Sequence, residues 1–152
     1  MSHRTLPLAL LLSMALMSGC WGGPRHTLGM QGGILAPCPS SPNCVHTGLR
    51  HPEGTLGMFG DADVPREEWM NRIAAVVAEL PRTTIITRDA DYLHAEVTSR
   101  IFRFVDDLEI GIGPDDEILV RSSSRVGRSD LGVNAARVED LRTRLKAAGA
   151  IR

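Results

Sequence analysis

Four runs with strand character lie one after another between Thr83 and Ser124, and a helix-periodic run flanks them on each side. Thr83 to Arg88 is β-branched and apolar, and Asp89-Ala90-Asp91 turns the chain. Tyr92 to Arg100 alternates, with Leu93, Ala95 and Val97 on one face and His94, Glu96, Thr98 and Arg100 on the other. Phe102, Phe104, Leu108, Ile110 and Ile112 share one face of a third run. A regular strand would put Asp106 on that face too, where an unpaired carboxylate is costly, so a bulge or break is expected around Val105-Asp106-Asp107. Gly113-Pro-Asp-Asp116 turns the chain into a fourth run, Glu117 to Ser124, with Arg121, Ser123 and Arg125 on one face. The first helix is expected to start near Pro65, with Glu67 and Glu68 complementing its dipole and Trp69, Ile73, Val76, Val77 and Leu80 as its buried stripe, and to stop at Pro81. The second is expected over Asn134 to Ala148, with Asn134 as N-cap, Ala135, Val138, Leu141, Leu145 and Ala148 buried, and Gly149 as its end. This order predicts an α+β fold: a four-stranded antiparallel meander with two helices packed on one face (αββββα). The opposite sheet face would be polar, carrying His94, Glu96, Thr98, Arg100, Glu109, Arg121, Ser123 and Arg125.

The 152 residues suffice for one domain, and the net charge of −1 gives no global field to recruit nucleic acid. Residues 1–19 read as a lipoprotein signal peptide. A weakly basic start (His3, Arg4) leads into an apolar run, Leu6 to Met17, too short to span a bilayer, and the run ends in Met17-Ser18-Gly19-Cys20. Lipidation of Cys20, palmitate included, would tether the protein to a membrane. Residues 20–36, rich in glycine, read as a flexible tether from the lipid, and residues 37–152 as one globular domain. The expected address is the cell envelope: exported, on the cell or outer membrane, facing the periplasm or the exterior.

The chain has three cysteines, so lipidating Cys20 leaves the pair Cys38 and Cys44. They flank a proline-rich loop in an oxidising compartment. A disulfide is favoured there over a free thiol pair or a metal site with His46 and His51, since the spacing fits no zinc motif. Residues 49–64 continue as loop, with Leu56, Met58 and Phe59 tucked against the domain.

The richest polar stretch runs from Arg121 to Asn134. Guanidinium forks, hydroxyls and free N–H groups at a helix start are the chemistry of an anion pocket, and Arg121, Ser123, Arg125, Arg128, Ser129 and Asn134 are its candidate ligand-binding residues. The competing reading ties the stretch to itself: Arg121 and Arg125 pair with Glu96, Glu109 or Asp107 across the sheet, while Asp130 and Ser129 hold the loop. For catalysis, His94 beside Glu96 could act as acid and base with Ser122, Ser123 or Ser129 as nucleophile. No serine-hydrolase elbow or zinc-protease motif supports this, and the sequence leans away from an enzyme. The pairs Asp106-Asp107 and Asp115-Asp116 match no calcium loop, so neither metal nor cofactor is expected.

Three motifs, Cys38-Pro-Ser-Ser-Pro-Asn-Cys-Val45, Asp91-Tyr-Leu-His-Ala-Glu96 and Arg121 to Asn134, resemble the signatures of the family called domain of unknown function 1499. The resemblance covers residues 37–148. It implies a bacterial envelope or lipoprotein domain and carries over no established activity. Two positions depart from the family pattern: Ser123 stands where Ala is common, and Ala135-Ala136 where relatives often carry Arg. The leading expectation is a lipid-anchored, non-enzymatic envelope domain that binds a partner protein or a small anionic molecule at the Arg121–Asn134 loop. The alternatives are a hydrolase-like enzyme using His94 or a nearby serine, and a purely structural envelope protein.

Overall fold

A computed structural model describes residues 27–48 and 57–152. The expected signal peptide, Cys20, most of the expected tether, His51 and Leu56 lie outside the described residues. Two helices, α1 (Arg66–Ala78) and α2 (Val133–Ala147), pack on one face of an antiparallel sheet. The expected meander is there as β5 (Thr83–Arg88), β6 (Tyr92–Thr98), β7 (Val105–Ile112) and β8 (Glu117–Ser124).

It is not the whole sheet. Two short strands, β3 (Cys44–His46) and β4 (Met58–Phe59), pair with β8 at different points along its outer edge, which makes a six-stranded sheet. A separate hairpin, β1 (Met30–Gln31) and β2 (Ile34–Leu35), lies in the stretch expected to be tether, and Leu35 is buried. Segments this short have no period to read. They are strands because β8 would otherwise expose its ladder groups, and because Leu35 gains more from burial than a tether residue could.

The core lies between the helices and one sheet face. Ile73 and Val77 of α1 and Val138, Leu141 and Leu145 of α2 meet Leu93, Ala95, Leu108, Ile110 and Val120. The α1 stripe is buried as its spacing predicts, and Pro65 stands just before its first helical residue. In α2 the stripe differs. Ala135 and Ala148 are exposed, Asn134 is buried, and the helix starts one residue earlier with Gly132 as N-cap at φ 84°. Gly149, at φ 61°, ends it: its N–H donates to Lys146 O and that of Ala150 to Leu145 O, the paired bonds of a left-handed helix stop.

The third strand corrects another expectation. The β6–β7 ladder runs unbroken from Thr98↔Val105 to Tyr92↔Gly111, so there is no bulge at Asp106. Asp106 does face the helices, and Arg137 of α2 donates to it at 2.7 Å, which removes the penalty that argued for a break. The irregularity sits instead in the β5–β6 pairing, between Ile85 and Thr87. Phe102 and Phe104 are not in the core. They stack on each other at 5.6 Å in the exposed turn between β6 and β7, which Ser99 closes by donating N–H to Phe104 O and accepting the Phe104 N–H on its hydroxyl.

Candidate functional site

The face of the sheet away from the helices is polar, as the alternation predicts, but it is covered. His94, Asp107, Glu109, Arg121 and Ser123 are all buried there. Part of the cover comes from the β1–β2 hairpin. Gly29 donates its N–H to Glu109 Oε1 at 2.7 Å, and the carbonyl of Leu35 meets His46 Nε2 at 3.3 Å. Met30 and Leu35 lie so close over Gly111 that a side chain there would collide with the Met30 sulfur. The loop closed by Cys38 and Cys44, a disulfide with Cα atoms 5.6 Å apart, leads into β3 beside Ser123 and Arg121. Neither of those sulfurs is therefore available as a metal thiolate.

Two charge clusters lie under this cover. In one, Arg125 grips both oxygens of Asp107, Nε at 3.0 Å and Nη2 at 2.7 Å, and Nη2 also reaches Glu96 at 2.5 Å. His94 Nε2 lies 2.8 Å from Asp107 Oδ1. Burial pushes the Asp107 carboxyl up, but the hydrogen bonds from His94 and Arg125 outweigh it and hold its pKa at about 2. The same bonds to Asp107, opposed by burial, push Arg125 above its usual range. In the other cluster, Glu109 pairs with Arg121 and accepts a hydrogen bond from the Tyr92 hydroxyl at 2.9 Å. Burial and the adjacent Glu109 charge push the Tyr92 phenol up.

His46 sits opposite Arg121 in the ladder. Its Nδ1 accepts the Gly48 N–H at 3.0 Å, so Nε2 carries the proton that points at Leu35 O. Burial lowers its pKa, against the pull of that carbonyl.

A third cluster lies on the helix side, at the start of α2. Asn134 Nδ2 donates to Asn43 O and to Ser124 Oγ, each at 3.0 Å, and its Oδ1 accepts from Ser122 Oγ at 2.6 Å and Arg137 Nη1 at 2.5 Å. Asn134 is thus an internal tie rather than a cap. Asp130 does the capping: its carboxylate accepts the N–H groups of Gly132 at 3.1 Å and Asn134 at 2.7 Å. Burial raises the Asp130 pKa, yet those backbone donors bring it below the usual carboxylate range.

The six candidate residues therefore do not converge on one pocket. Arg121, Ser123 and Arg125 lie on the covered face and Asn134 on the helix face, with the sheet between them. Arg128 and Ser129 are exposed in the loop, where the Ser129 hydroxyl accepts the Leu131 N–H at 3.3 Å. Among the described residues, Arg121 Nε and Ser123 Oγ are buried without a hydrogen-bond partner. Sequence reasoning missed Arg137 and Asn43. Arg137 stands three residues after Asn134 on the side of α2 that meets the sheet, which was a readable signal. Asn43 had none, since its role depends on β3 docking beside β8. An open cleft of about 570 Å³ lies at the other end of the sheet, lined by Arg66, Met70, Asn71, Arg88, Asp89 and Asp91.

The three motifs quoted above meet in space. Asn43 of the first touches Asn134 and Gly127 of the third, and His94 and Glu96 of the second share Asp107 and Arg125. A family described as "Protein of unknown function (DUF1499)" matches residues 34–145. The chain belongs to that family. The DUF1499 match begins at β2 and ends near the end of α2, so it includes the disulfide loop, the whole sheet and all three charge clusters. No curated protein matches the chain.

Proposed function

We propose that this DUF1499 protein is a non-enzymatic module of the cell envelope, exported and held at a membrane by acyl chains on Cys20, that engages a partner or a small anionic ligand through the exposed part of the Arg121–Asn134 loop. The observation that carries the reading is how the buried charges are used. Arg121, Arg125 and Arg137 each have a carboxylate partner, so these residues brace the loop, and Arg128 and Ser129 are the members of the candidate set left facing solvent. His94 Nε2 is engaged with Asp107, which argues against its use as a free base in a hydrolase. The small cysteine-closed loop and the apolar run ending at Cys20 support export.

The test has two arms. Cys20→Ala is expected to move the protein from the membrane to the soluble fraction in a high-salt wash; a variant that fractionates as the parent does under that wash would refute the anchor. A thermal-shift screen of anionic metabolites and headgroups is run on the parent and on Arg128→Ala. The binder reading requires a shift that the variant loses. The same charge pairing also fits a purely structural role, which predicts no shift with any anion.

A further inference from the structure

We infer that the end of the sheet carrying the β6–β7 turn and the β8–α2 loop docks onto an anionic membrane surface, with Ile101, Phe102 and Leu131 entering the headgroup layer. These three side chains are 79 %, 65 % and 94 % exposed, and Phe104 and Val133 in the same two segments are 40 % and 51 % exposed. The ladder puts the two segments side by side: Thr98 pairs with Val105, Asp106 with Ser124, and the Arg125 N–H donates to Val105 O, so β8 leaves the sheet next to the β6–β7 turn.

Charge selects the occupant. Arg100, Arg103 and Arg128 are exposed in these segments, and Arg82, whose Nε donates to Thr98 O, stands at the same end. Of the acids in β6, β7 and the β8–α2 loop at this end, Asp107 and Glu96 are taken by Arg125, Asp106 by Arg137 and Asp130 by the start of α2, while Glu79, just before Arg82, is exposed. The opposite end carries Asp89, Asp91, Asp115 and Asp116 in its two turns, with Arg66 paired to Asp91 and Asp116. Exposed aliphatic and aromatic side chains ringed by arginines are the composition that binds the interface of an anionic bilayer, while a protein partner of ordinary charge would leave the guanidiniums unmatched. The path of the chain agrees. From Gly29 at Glu109, past Met30 at Gly111, to Gly33 at Pro114, the described chain runs away from this end.

Only the location of the membrane rests on the envelope reading above; the docking itself does not need the acyl anchor. The test uses the full chain with Phe102→Trp on phosphatidylcholine vesicles with brominated acyl chains, with and without phosphatidylglycerol. The unmodified chain supplies the baseline from Trp21 and Trp69. The added emission is expected to be quenched on the anionic vesicles and to recover in high salt. The triple substitution Arg100→Ser, Arg103→Ser, Arg128→Ser should weaken partition onto anionic vesicles on the order of 100-fold, from about fivefold per arginine. Should that variant fold poorly, the salt series on the single variant carries the same information. Added emission that stays unquenched, or is quenched equally without phosphatidylglycerol, overturns the inference. Failure of the Cys20→Ala fractionation alone would leave it standing.

Discussion

Asp107 illustrates how a charge is kept inside a sheet. Its side chain is 1 % exposed, and it stays ionised because Arg125 and His94 hold its oxygens. Its pKa of about 2 lies below the ordinary 3.8, so the stability it contributes is complete above pH 4 and is lost as pH falls toward 2. Arg125→Ala would strand that carboxylate and is expected to cost about 3–5 kcal/mol in urea unfolding. A loss under 1 kcal/mol, with roughly the cost of a surface pair, would mean the pair is dispensable. His46 works in the other window. Its folded pKa is depressed, so its contribution is present above 6.5 and falls away as pH drops below that value, because burial disfavours the imidazolium, Arg121 repels it, and protonating Nδ1 breaks the bond from Gly48. Melting temperature should hold steady above neutrality and decline through mild acid, and His46→Gln should flatten that decline. An unchanged slope in the variant would assign the decline to another group.

Among the elements, β3 pairs with β8 through the ladder, and side chains as well as apolar area hold α2 to both. Asn134 joins the carbonyl of Asn43 to Ser122 and Ser124, and Arg137 extends the tie to Asp106. Asn134→Ala is expected to cost about 1–3 kcal/mol by leaving buried groups unpaired, and to speed amide exchange in β3 and the first turn of α2 before the rest of the sheet. Uniform loss of protection would show that the tie is not local. The crosslink acts on the same region from the other side. Replacing Cys38 and Cys44 by serine should lower stability by about 2 kcal/mol, the chain-entropy value for so small a loop, read as a lower denaturation midpoint. The α1 stripe, the Val138, Leu141 and Leu145 centre of the α2 stripe and the meander were legible in the sequence because each runs long enough to show a period. The bulge expected at Asp106 was misplaced because its partner lies 31 residues away, and no local pattern announces such a pair.

At the scale of the molecule, the charges are sorted by depth and by end. Acids and arginines are matched in the interior, while the surface carries four aspartates, two of them paired with Arg66, at one end of the sheet and arginines beside exposed apolar side chains at the other. The hairpin at residues 30–35 covers part of the interior set. Deleting residues 1–36 would remove Leu35 and uncover Glu109, Tyr92 and His46, and should lower the unfolding free energy by at least about 2 kcal/mol, the value of one buried leucine. An unchanged midpoint would mean that residues 30–35 do not matter to the sheet. The sequence by itself determined the two helices, the order of the four long strands, which sheet face is apolar, and the tendency of Arg121 and Arg125 to meet acids across the sheet, because these follow from local periodicity and from the alternation of strands. Only the tertiary structure decided that the polar face is covered, that Asn134 ties rather than caps, that Arg137 neutralises Asp106, and that Phe102 and Leu131 project from one end. Each of those depends on segments far apart in the chain arriving side by side, and the free energy that brings them there appears only once the sheet has formed.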